Sequence, residues 1–269
     1  MGEFCIVAGI GHSATKWLCN VLHCTPQGVA FFHEPALHYV KKGWWTKHAW
    51  TERQKWAWEH EFNEKAFQPY LDFLDSNLRN HRIVGDAISW SPILWPFLDK
   101  HIHIDRVIYL VRNGVQQLHA VAYYSEWFKE NDKQIRWGLD TFMREYWKVM
   151  GEPHKPWDQW SWWERMCLWW QTNAVFPEWL QEQMPDAKHE LYKMDNLVDS
   201  SEQLRTFLSS FGIEMSDKQI TEWQRTDINR RVQGKRAVLE LWKKWTPKQR
   251  EDFKRICGPG MRKLGYRMP

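Results

Sequence analysis

Short apolar runs alternate with longer amphipathic stretches along the chain. The runs predict buried strands, and the stretches repeat their apolar residues at the spacing of a helix. The predicted strands are 4–8, 29–33, 82–86, 105–111 and 189–194. The predicted helices are about 13–23, 51–80, from 115 onward, within 135–184, 200–211 and 247–264. Strands separated by helices pair in parallel through right-handed crossovers, so the pattern predicts an α/β fold with a central parallel sheet flanked by helices.

Composition narrows the class of protein. The chain has 269 residues without repeats or low-complexity blocks, which excludes fibrous, solenoid and largely disordered proteins. Its net charge of +4 is a mild basic excess, and nucleic-acid binders usually show a denser basic stripe than this. No nucleic-acid partner is therefore expected. A pocket for one small, highly anionic ligand would account for the basic excess.

The N-terminal segment and the cysteines favour a cytoplasmic protein. The first residues, MGEFCIVAGIGH, lack a basic region and a cleavage site, and no apolar run approaches the ~20 residues of a membrane span. The first strand follows Met1 almost directly, so we expect a complete protein without a membrane anchor. The five cysteines form no CxxC pair, and no carboxylate cluster accompanies His101 and His103, so no disulfide framework and no metal site are predicted.

The exit of the first strand has the chemistry of an anion site. The segment AGIGHSATKWL is a glycine-containing turn that leads into a helix, whose exposed amides and dipole attract anions. Ser13 and Thr15 add hydroxyl donors, and Lys16 adds a cation. The segment is not a Walker A loop, because Ala14 and Thr15 stand where that loop requires glycine and lysine. A plain strand–turn–helix with a chance lysine is the alternative.

A second anion-competent group follows the strand 105–111. Arg112 stands directly after this strand, and its planar guanidinium suits phosphate oxygens. A solvated surface arginine is the alternative for this residue taken alone. Two such exits from one sheet favour a ligand that carries two separated anionic groups.

Several short segments, in order along the chain, resemble the sulfotransferases that use 3′-phosphoadenosine 5′-phosphosulfate (PAPS). They are HSATKWL, FFHEPALHYV, RVIYLVRNG, LYKMDNLV and GPGMRKLGY. The run 31–38, in which Glu-Pro precedes a histidine, is most similar to the carbohydrate 6-O-sulfotransferases. The resemblance covers nearly the whole chain and implies one domain, 1–269, with a three-layer P-loop-like α/β fold and extra Trp-rich helices.

The resemblance also implies roles for individual residues. The first loop would hold the 5′-phosphosulfate, Arg112 the 3′-phosphate, and the segment around Tyr192 would contact the nucleotide. The basic residues that cover the 3′-phosphate would be either Arg230 and Arg231 or Lys235. The loop residues matched to the family are Gly11, His12, Ser13, Ala14, Thr15, Lys16 and Trp17. The product would be adenosine 3′,5′-bisphosphate, and no metal is needed.

Catalysis requires a base for the acceptor hydroxyl and a cation for the leaving phosphate. Glu34, at a strand exit and at the family-matched position, is the first candidate for the base, Asp86 the second and His33 the third. Lys16 would stabilise the charge on the leaving phosphate. The alternative for Glu34 is a carboxylate that caps a neighbouring turn, and for His33 simple packing.

The chain departs from the family pattern at four positions. His12 replaces an arginine, Ala14 a glycine, Lys16 a serine or threonine, and Ala120, eight residues after Arg112, a serine that binds the 3′-phosphate. Lys16 would compensate for the missing arginine. We therefore predict a sulfotransferase that acts on a hydroxyl of a small-molecule or carbohydrate acceptor. The alternatives are a non-catalytic nucleotide-binding protein on the same fold and a P-loop small-molecule kinase.

Tryptophan is the anomaly of the composition, with 21 residues. One group falls in helical patterns and is interpreted as core: Trp56, Trp147, Trp169, Trp170 and Trp179. A second group lies in segments that look like loops, where flat rings can stack on an acceptor: Trp44, Trp45, Trp157, Trp160, Trp162 and Trp163. Packing is the alternative for this second group as well.

Overall fold

The structure is a computed structural model that describes residues 2–9, 15–23, 28–33, 35, 64–88, 95–124, 155–225 and 235–269. The chain forms two compact units. Unit 1 comprises Met1–Val111 and Leu180–Val232, and unit 2 comprises Arg112–Trp179 and Gln233–Pro269.

The strands and helices follow the predicted alternation. The strands are β1 (Glu3–Ala8), β2 (Val29–His33), β3 (Ile83–Ile88), β4 (Arg106–Val111) and β5 (Lys188–Lys193). The helices of the described residues are α1 (Thr15–Leu22), α2 (Glu64–Asn80), α3 (Trp95–Leu98), α4 (Gly114–Tyr124), α5 (Trp162–Gln171), α6 (Phe176–Gln183), α7 (Met194–Asp199), α8 (Ser201–Ser209), α9 (Asp217–Gln224), α10 (Lys235–Lys244) and α11 (Pro247–Lys263). None of these described helices has the length and apolarity that a membrane crossing requires. The predicted α/β fold with a central parallel sheet is confirmed.

All five strands belong to one parallel sheet in unit 1, in the order β2-β3-β1-β4-β5. The connection after β1 runs toward one edge, to β2, and the connection after β4 runs toward the other edge, to β5. Such a change of direction between neighbouring strands opens a crevice at their carboxyl ends, where open α/β sheets bind ligands. The crevice of this sheet therefore lies between the ends of β1 and β4.

One face of the sheet carries the main core of unit 1. Alternate residues of β1, β2, β3 and β4 point to this face and pack against α1, α7, α8 and α9. Gly85 of β3 allows the closest approach on this face, because a Cβ at that position would lie 2.1 Å from the ring of Phe31. The ring of Phe31 in turn meets Phe211 edge-on at 5.5 Å. The residue without a side chain thus makes room for an aromatic pair.

The opposite face of the sheet packs against α2. Phe32 of β2 meets Phe73 of α2 with ring centroids 4.8 Å apart. Tyr70, 2% exposed, donates its hydroxyl hydrogen bond to Asp86 of β3. A buried polar pair therefore joins α2 to the sheet on this face.

Unit 2 is built around tryptophans of α5 and the facing helix α11. Trp170 packs against Phe253 at 6.2 Å, and the indole N–H of Trp163 donates to the carbonyl of Gln249 at 3.0 Å. Helix α5 begins with a capping box, in which Ser161 and Glu164 satisfy each other's backbone N–H groups. The predicted packing role of Trp169 and Trp170 agrees with their burial, at 2% and 0% exposed.

Candidate active site at the carboxyl edge of the sheet

The crevice beside β1 begins where the predicted anion loop stands in the sequence. β1 ends at Ala8, and α1 begins at Thr15. Gly11, His12, Ser13 and Ala14 lie outside the described residues. The first backbone N–H groups of a helix have no partner within the helix, and they carry its partial positive charge. The start of α1 therefore offers amide donors at this edge of the sheet.

Thr15, the first residue of α1, is brought to the end of β2. Its side chain is buried, at 4% exposed, and its Oγ1 lies 3.3 Å from Nε2 of His33, the last residue of β2. The two residues stand 18 positions apart in the chain, so sequence spacing gave no sign of the contact. A hydroxyl and an imidazole thus meet at the same edge as the amides of α1.

Lys16 and Trp17 point to different environments from that of Thr15. The Lys16 side chain is exposed, whereas Trp17 is 1% exposed and lies in the core. The Trp17 indole N–H donates to the carbonyl of Trp223 at 3.3 Å. Lys16 is accordingly exposed to solvent, while the Trp17 side chain anchors α1 in the core.

Asp86 lies on the α2 face of the sheet and is completely buried. It accepts the hydroxyl of Tyr70, and burial, with the negative charge of Asp86, raises the pKa of Tyr70 well above its usual value. The neighbouring Ala87 points instead to the face that α1 covers. In this position Asp86 joins β3 to α2 through its hydrogen bond with Tyr70. Its role as a base stays a prediction.

Arg112 directly follows β4 and belongs to unit 2. It is 6% exposed, so the alternative of a solvated surface arginine does not hold. Its carbonyl accepts the indole N–H of Trp170 at 3.2 Å, and Asn113 accepts the N–H of Val115 at 3.0 Å through its side chain. Gly114 is required here, since a Cβ would lie 2.8 Å from the Trp170 ring. These contacts fix the backbone of Arg112 at the start of α4.

Tyr192 packs on the α1 side of the sheet. Its ring meets Phe207 edge-on at 4.7 Å, and its hydroxyl donates to Glu190 at 3.2 Å. Burial, assisted by the charge of Glu190, raises the pKa of Tyr192. Its predicted contact with the nucleotide stays a prediction.

Several predicted site residues lie outside what the structure describes. These are Glu34, Arg230, Arg231, Trp44 and Trp45. Lys235 begins α10, and nothing is described of its side chain or that of Trp157. Trp160, Trp162 and Trp163, in contrast, are buried at 3%, 9% and 6% exposed, so the packing alternative holds for these three rings.

Sequence reasoning missed two contacts that the fold creates. It did not pair Thr15 with His33, and it did not find Tyr70 as the partner of Asp86. Among the described residues no group of three or more His, Cys, Asp or Glu side chains is arranged to hold a metal ion.

Comparison with known proteins identifies the fold. No protein-family model matches the chain, and no curated protein matches it. The chain is similar to the sulfotransferase domain from the curacin biosynthetic pathway, at 11% identity and a TM-score of 0.54, over 100% of this chain and 99% of that one. It is similar to the sulfotransferase domain of the Synechococcus PCC 7002 olefin synthase, at 12% identity and a TM-score of 0.53, over 100% and 96%. It is also similar to a sulfotransferase from Alicyclobacillus acidocaldarius, at 14% identity and a TM-score of 0.54, over 98% and 94%.

The described chain thus has the P-loop-like fold of sulfotransferases, as the resemblance of its short segments predicted. The closer resemblance to carbohydrate 6-O-sulfotransferases stays a prediction.

Proposed function

We propose that this protein is a single-domain sulfotransferase that moves a sulfuryl group from PAPS to a hydroxyl of a small-molecule or carbohydrate acceptor. The observation that carries the proposal is the start of α1 at the crevice of a sulfotransferase-like sheet, where Thr15, Lys16 and the helix amides come together. Two of the similar domains belong to a biosynthetic pathway and an olefin synthase, which favours a small-molecule acceptor.

The chemistry of the donor groups fits an anionic sulfated nucleotide. The hydroxyl of Thr15 and the amides of α1 are neutral donors, and exposed Lys16 adds a full positive charge. Buried Arg112 provides a planar guanidinium for the 3′-phosphate. In our proposal Tyr192 contacts the nucleotide, and Arg230 and Arg231 or Lys235 cover the 3′-phosphate.

The donor supplies an activated sulfuryl group, and the residues of this chain place charge and protons around it. Glu34 removes the proton of the acceptor hydroxyl as the acceptor oxygen bonds to sulfur and the bond from sulfur to the phosphate oxygen breaks. Lys16 and the amides of α1 stabilise the negative charge that the phosphate gains. Asp86, fully buried against Tyr70, remains the second candidate for the base. The reaction needs no metal ion in this scheme.

The proposal is tested by calorimetric titration with adenosine 3′,5′-bisphosphate, adenosine 5′-phosphate and ATP, together with a sulfate-transfer assay from PAPS. We expect adenosine 3′,5′-bisphosphate to bind about tenfold to a hundredfold more tightly than adenosine 5′-phosphate, since its second phosphate gains a charge-assisted contact. Arg112→Ala should remove most of this preference, and Arg112→Lys, which keeps the charge without the fork, should retain part of it.

Two further measurements distinguish a sulfotransferase from a binding protein and from a kinase. Glu34→Gln should lower turnover at least ~10²-fold with nucleotide affinity nearly unchanged, because it removes the base and keeps the size of the side chain. A chelator should leave transfer intact. Equal affinity for the two adenosine nucleotides would contradict the 3′-phosphate site, nucleotide binding without transfer would indicate a binding protein, and magnesium-dependent use of ATP would indicate a kinase.

A further inference from the structure

The contact between Thr15 and His33 suggests a role that goes beyond holding two elements together. Thr15 Oγ1 and His33 Nε2 are 3.3 Å apart, at the amino end of α1 and the carboxyl end of β2. Thr15 is 4% exposed, so its hydroxyl has little water to exchange partners with. The direction of this one hydrogen bond therefore decides what the hydroxyl can offer to a ligand.

A hydroxyl has one hydrogen to donate and two lone pairs. When His33 is neutral with a bare Nε2, the Thr15 hydroxyl donates to that nitrogen and presents lone pairs elsewhere. When Nε2 carries a hydrogen, the imidazole donates to Thr15 Oγ1, and the hydroxyl hydrogen is released. Protonation of the imidazole enforces this second arrangement and adds a positive charge. Only the second arrangement lets Thr15 donate to an anionic phosphate or sulfate oxygen.

Three elements of the described chain lie around His33. Lys16 on α1 is exposed, and His23 at the other end of α1 lies 3.0 Å from the carbonyl of Phe31 through its Nδ1. On β3 the register partner of His33 is Ala87, and Asp86 points to the opposite face. Helix α2 packs from that opposite face. The ionisable side chains described on it bind one another, Gln68 or the sheet: Tyr70, Asp72, Asp75 and Arg79. A bound anion at this edge would favour the charged form of His33.

We propose that His33 is a positioning residue that sets the donor direction of the Thr15 hydroxyl, so that protonation of His33 strengthens binding of the sulfated or phosphorylated end of the nucleotide. The inference rests on the proposed function, because it assigns a regulation to the same anion site. His33 contacts Thr15 and acts on the ligand through it.

The test is calorimetric titration of the full chain with adenosine 3′,5′-bisphosphate between about pH 5.5 and pH 8, the range in which an imidazole titrates. The phosphates of the ligand also titrate near pH ~6, so the wild type is compared at each pH with His33→Gln. The glutamine amide has an N–H donor for Thr15 at every pH and carries no charge. His33→Phe removes the donor altogether, and Thr15→Val removes the hydroxyl at nearly constant size.

We expect the affinity of the wild type, divided by that of His33→Gln, to rise about fivefold to tenfold as the pH falls across this range. His33→Phe should bind more weakly than His33→Gln throughout. Thr15→Val should lose about tenfold or more in affinity together with the extra pH dependence, and Thr15→Ser should restore both. His23→Gln, a matched change at the other end of α1, should keep the wild-type profile, and thermal unfolding without ligand should show every variant folded.

Each outcome distinguishes the inference from the proposed function. If the wild type binds the nucleotide and the two His33 variants match it in affinity and profile, the positioning role is wrong and the proposed function stands. If Thr15→Val keeps the extra pH dependence, His33 acts by charge alone and not through Thr15. If the wild type binds no adenosine nucleotide at any pH, both the proposed function and the inference are wrong.

Discussion

Thr15, Lys16 and Trp17 are consecutive residues, yet their side chains enter three environments. Thr15 meets His33, Lys16 is exposed, and Trp17 lies in the core against the carbonyl of Trp223. The cause is the rotation of about 100° between successive residues of a helix. One turn of α1 can therefore contribute a donor, a cation and an anchor without any further element.

The variant Lys16→Ala tests whether Lys16 is the cation that stabilises the leaving phosphate. If Lys16 neutralises the leaving phosphate, its loss should lower the rate of sulfate transfer by ~10²–10³, the usual effect of losing one preorganised electrostatic contact. The fold should be unaffected, because the side chain is exposed. Turnover measured with saturating PAPS checks the prediction.

Lys218→Ala is the matched control for Lys16→Ala, since Lys218 is an exposed lysine of α9 in the same unit. It removes the same charge from the surface and should leave turnover unchanged. Equal turnover in both variants and the wild type would remove Lys16 from the mechanism.

At the scale of elements, β3 shows how a strand satisfies both faces of a sheet. Gly85 admits the ring of Phe31 on one face, and Asp86 accepts the hydroxyl of Tyr70 on the other. The alternation of side chains along a strand makes this division possible. A small residue and a charged residue, which look out of place in a central strand, each have a specific partner.

Gly85→Ala should destabilise unit 1 by about 1–3 kcal/mol, because an added methyl group would force the Phe31 ring out of its place against Phe211. Denaturant unfolding followed by fluorescence measures the change. A Gly85→Ala protein as stable as the wild type would show that the ring relaxes freely.

At the scale of the whole molecule, each unit has its own ion-pair network around one buried charged residue, Arg106 in unit 1 and Glu164 in unit 2. In unit 1, Arg106 lies 2.8 Å from Glu3 and donates to the carbonyl of Ser210 at 3.1 Å, at the amino ends of the strands. In unit 2, the Glu164 carboxylate forms ion pairs with Lys155 at 3.1 Å and with Arg255 at 2.5 Å. Networks of this kind link segments that are distant in the chain, and breaking one partner leaves a buried charge uncompensated.

The Glu164 network predicts how unit 2 responds to acid. Burial by itself would raise the pKa of Glu164, but the hydrogen bonds from Ser161, Lys155 and Arg255 outweigh it and lower the pKa to about 2. A carboxylate whose pKa is lower in the folded than in the unfolded protein stabilises the folded state fully above its unfolded pKa of ~4.3. This stabilisation is lost as the pH falls toward the pKa of the folded state. Because solvent screens the partly exposed partners Lys155 and Arg255, the contribution is of the order of 1–2 kcal/mol.

Glu164→Gln should therefore unfold more easily at neutral pH and lose less stability than the wild type between about pH 5 and pH 2. Unfolding free energies measured across this range check the prediction. Glu251→Gln, an exposed glutamate of α11, is the control and should follow the wild type. Parallel pH profiles for the wild type and Glu164→Gln would contradict the role of the network.

The local pattern of the chain was sufficient to predict the five strands, their parallel pairing and the helix that follows the first strand. These features depend on residues close in sequence, since alternation, helical spacing and glycine turns repeat over short distances. The pattern missed α9, although Ser216 and Gln219 form the capping box that signals a helix start. It also missed α10 and extended β5 by one residue into the start of α7.

Only the tertiary structure decided which side chains meet. The strand order β2-β3-β1-β4-β5 brings the end of β2 to the start of α1 and so joins His33 to Thr15. The packing of helix α2 on the other face of the sheet gives Asp86 its partner Tyr70. The packing of unit 2 buries Trp160, for which the sequence also allowed stacking on an acceptor. A strand's order and the face that each residue shows depend on contacts between segments far apart in the chain, and no short-range pattern encodes them.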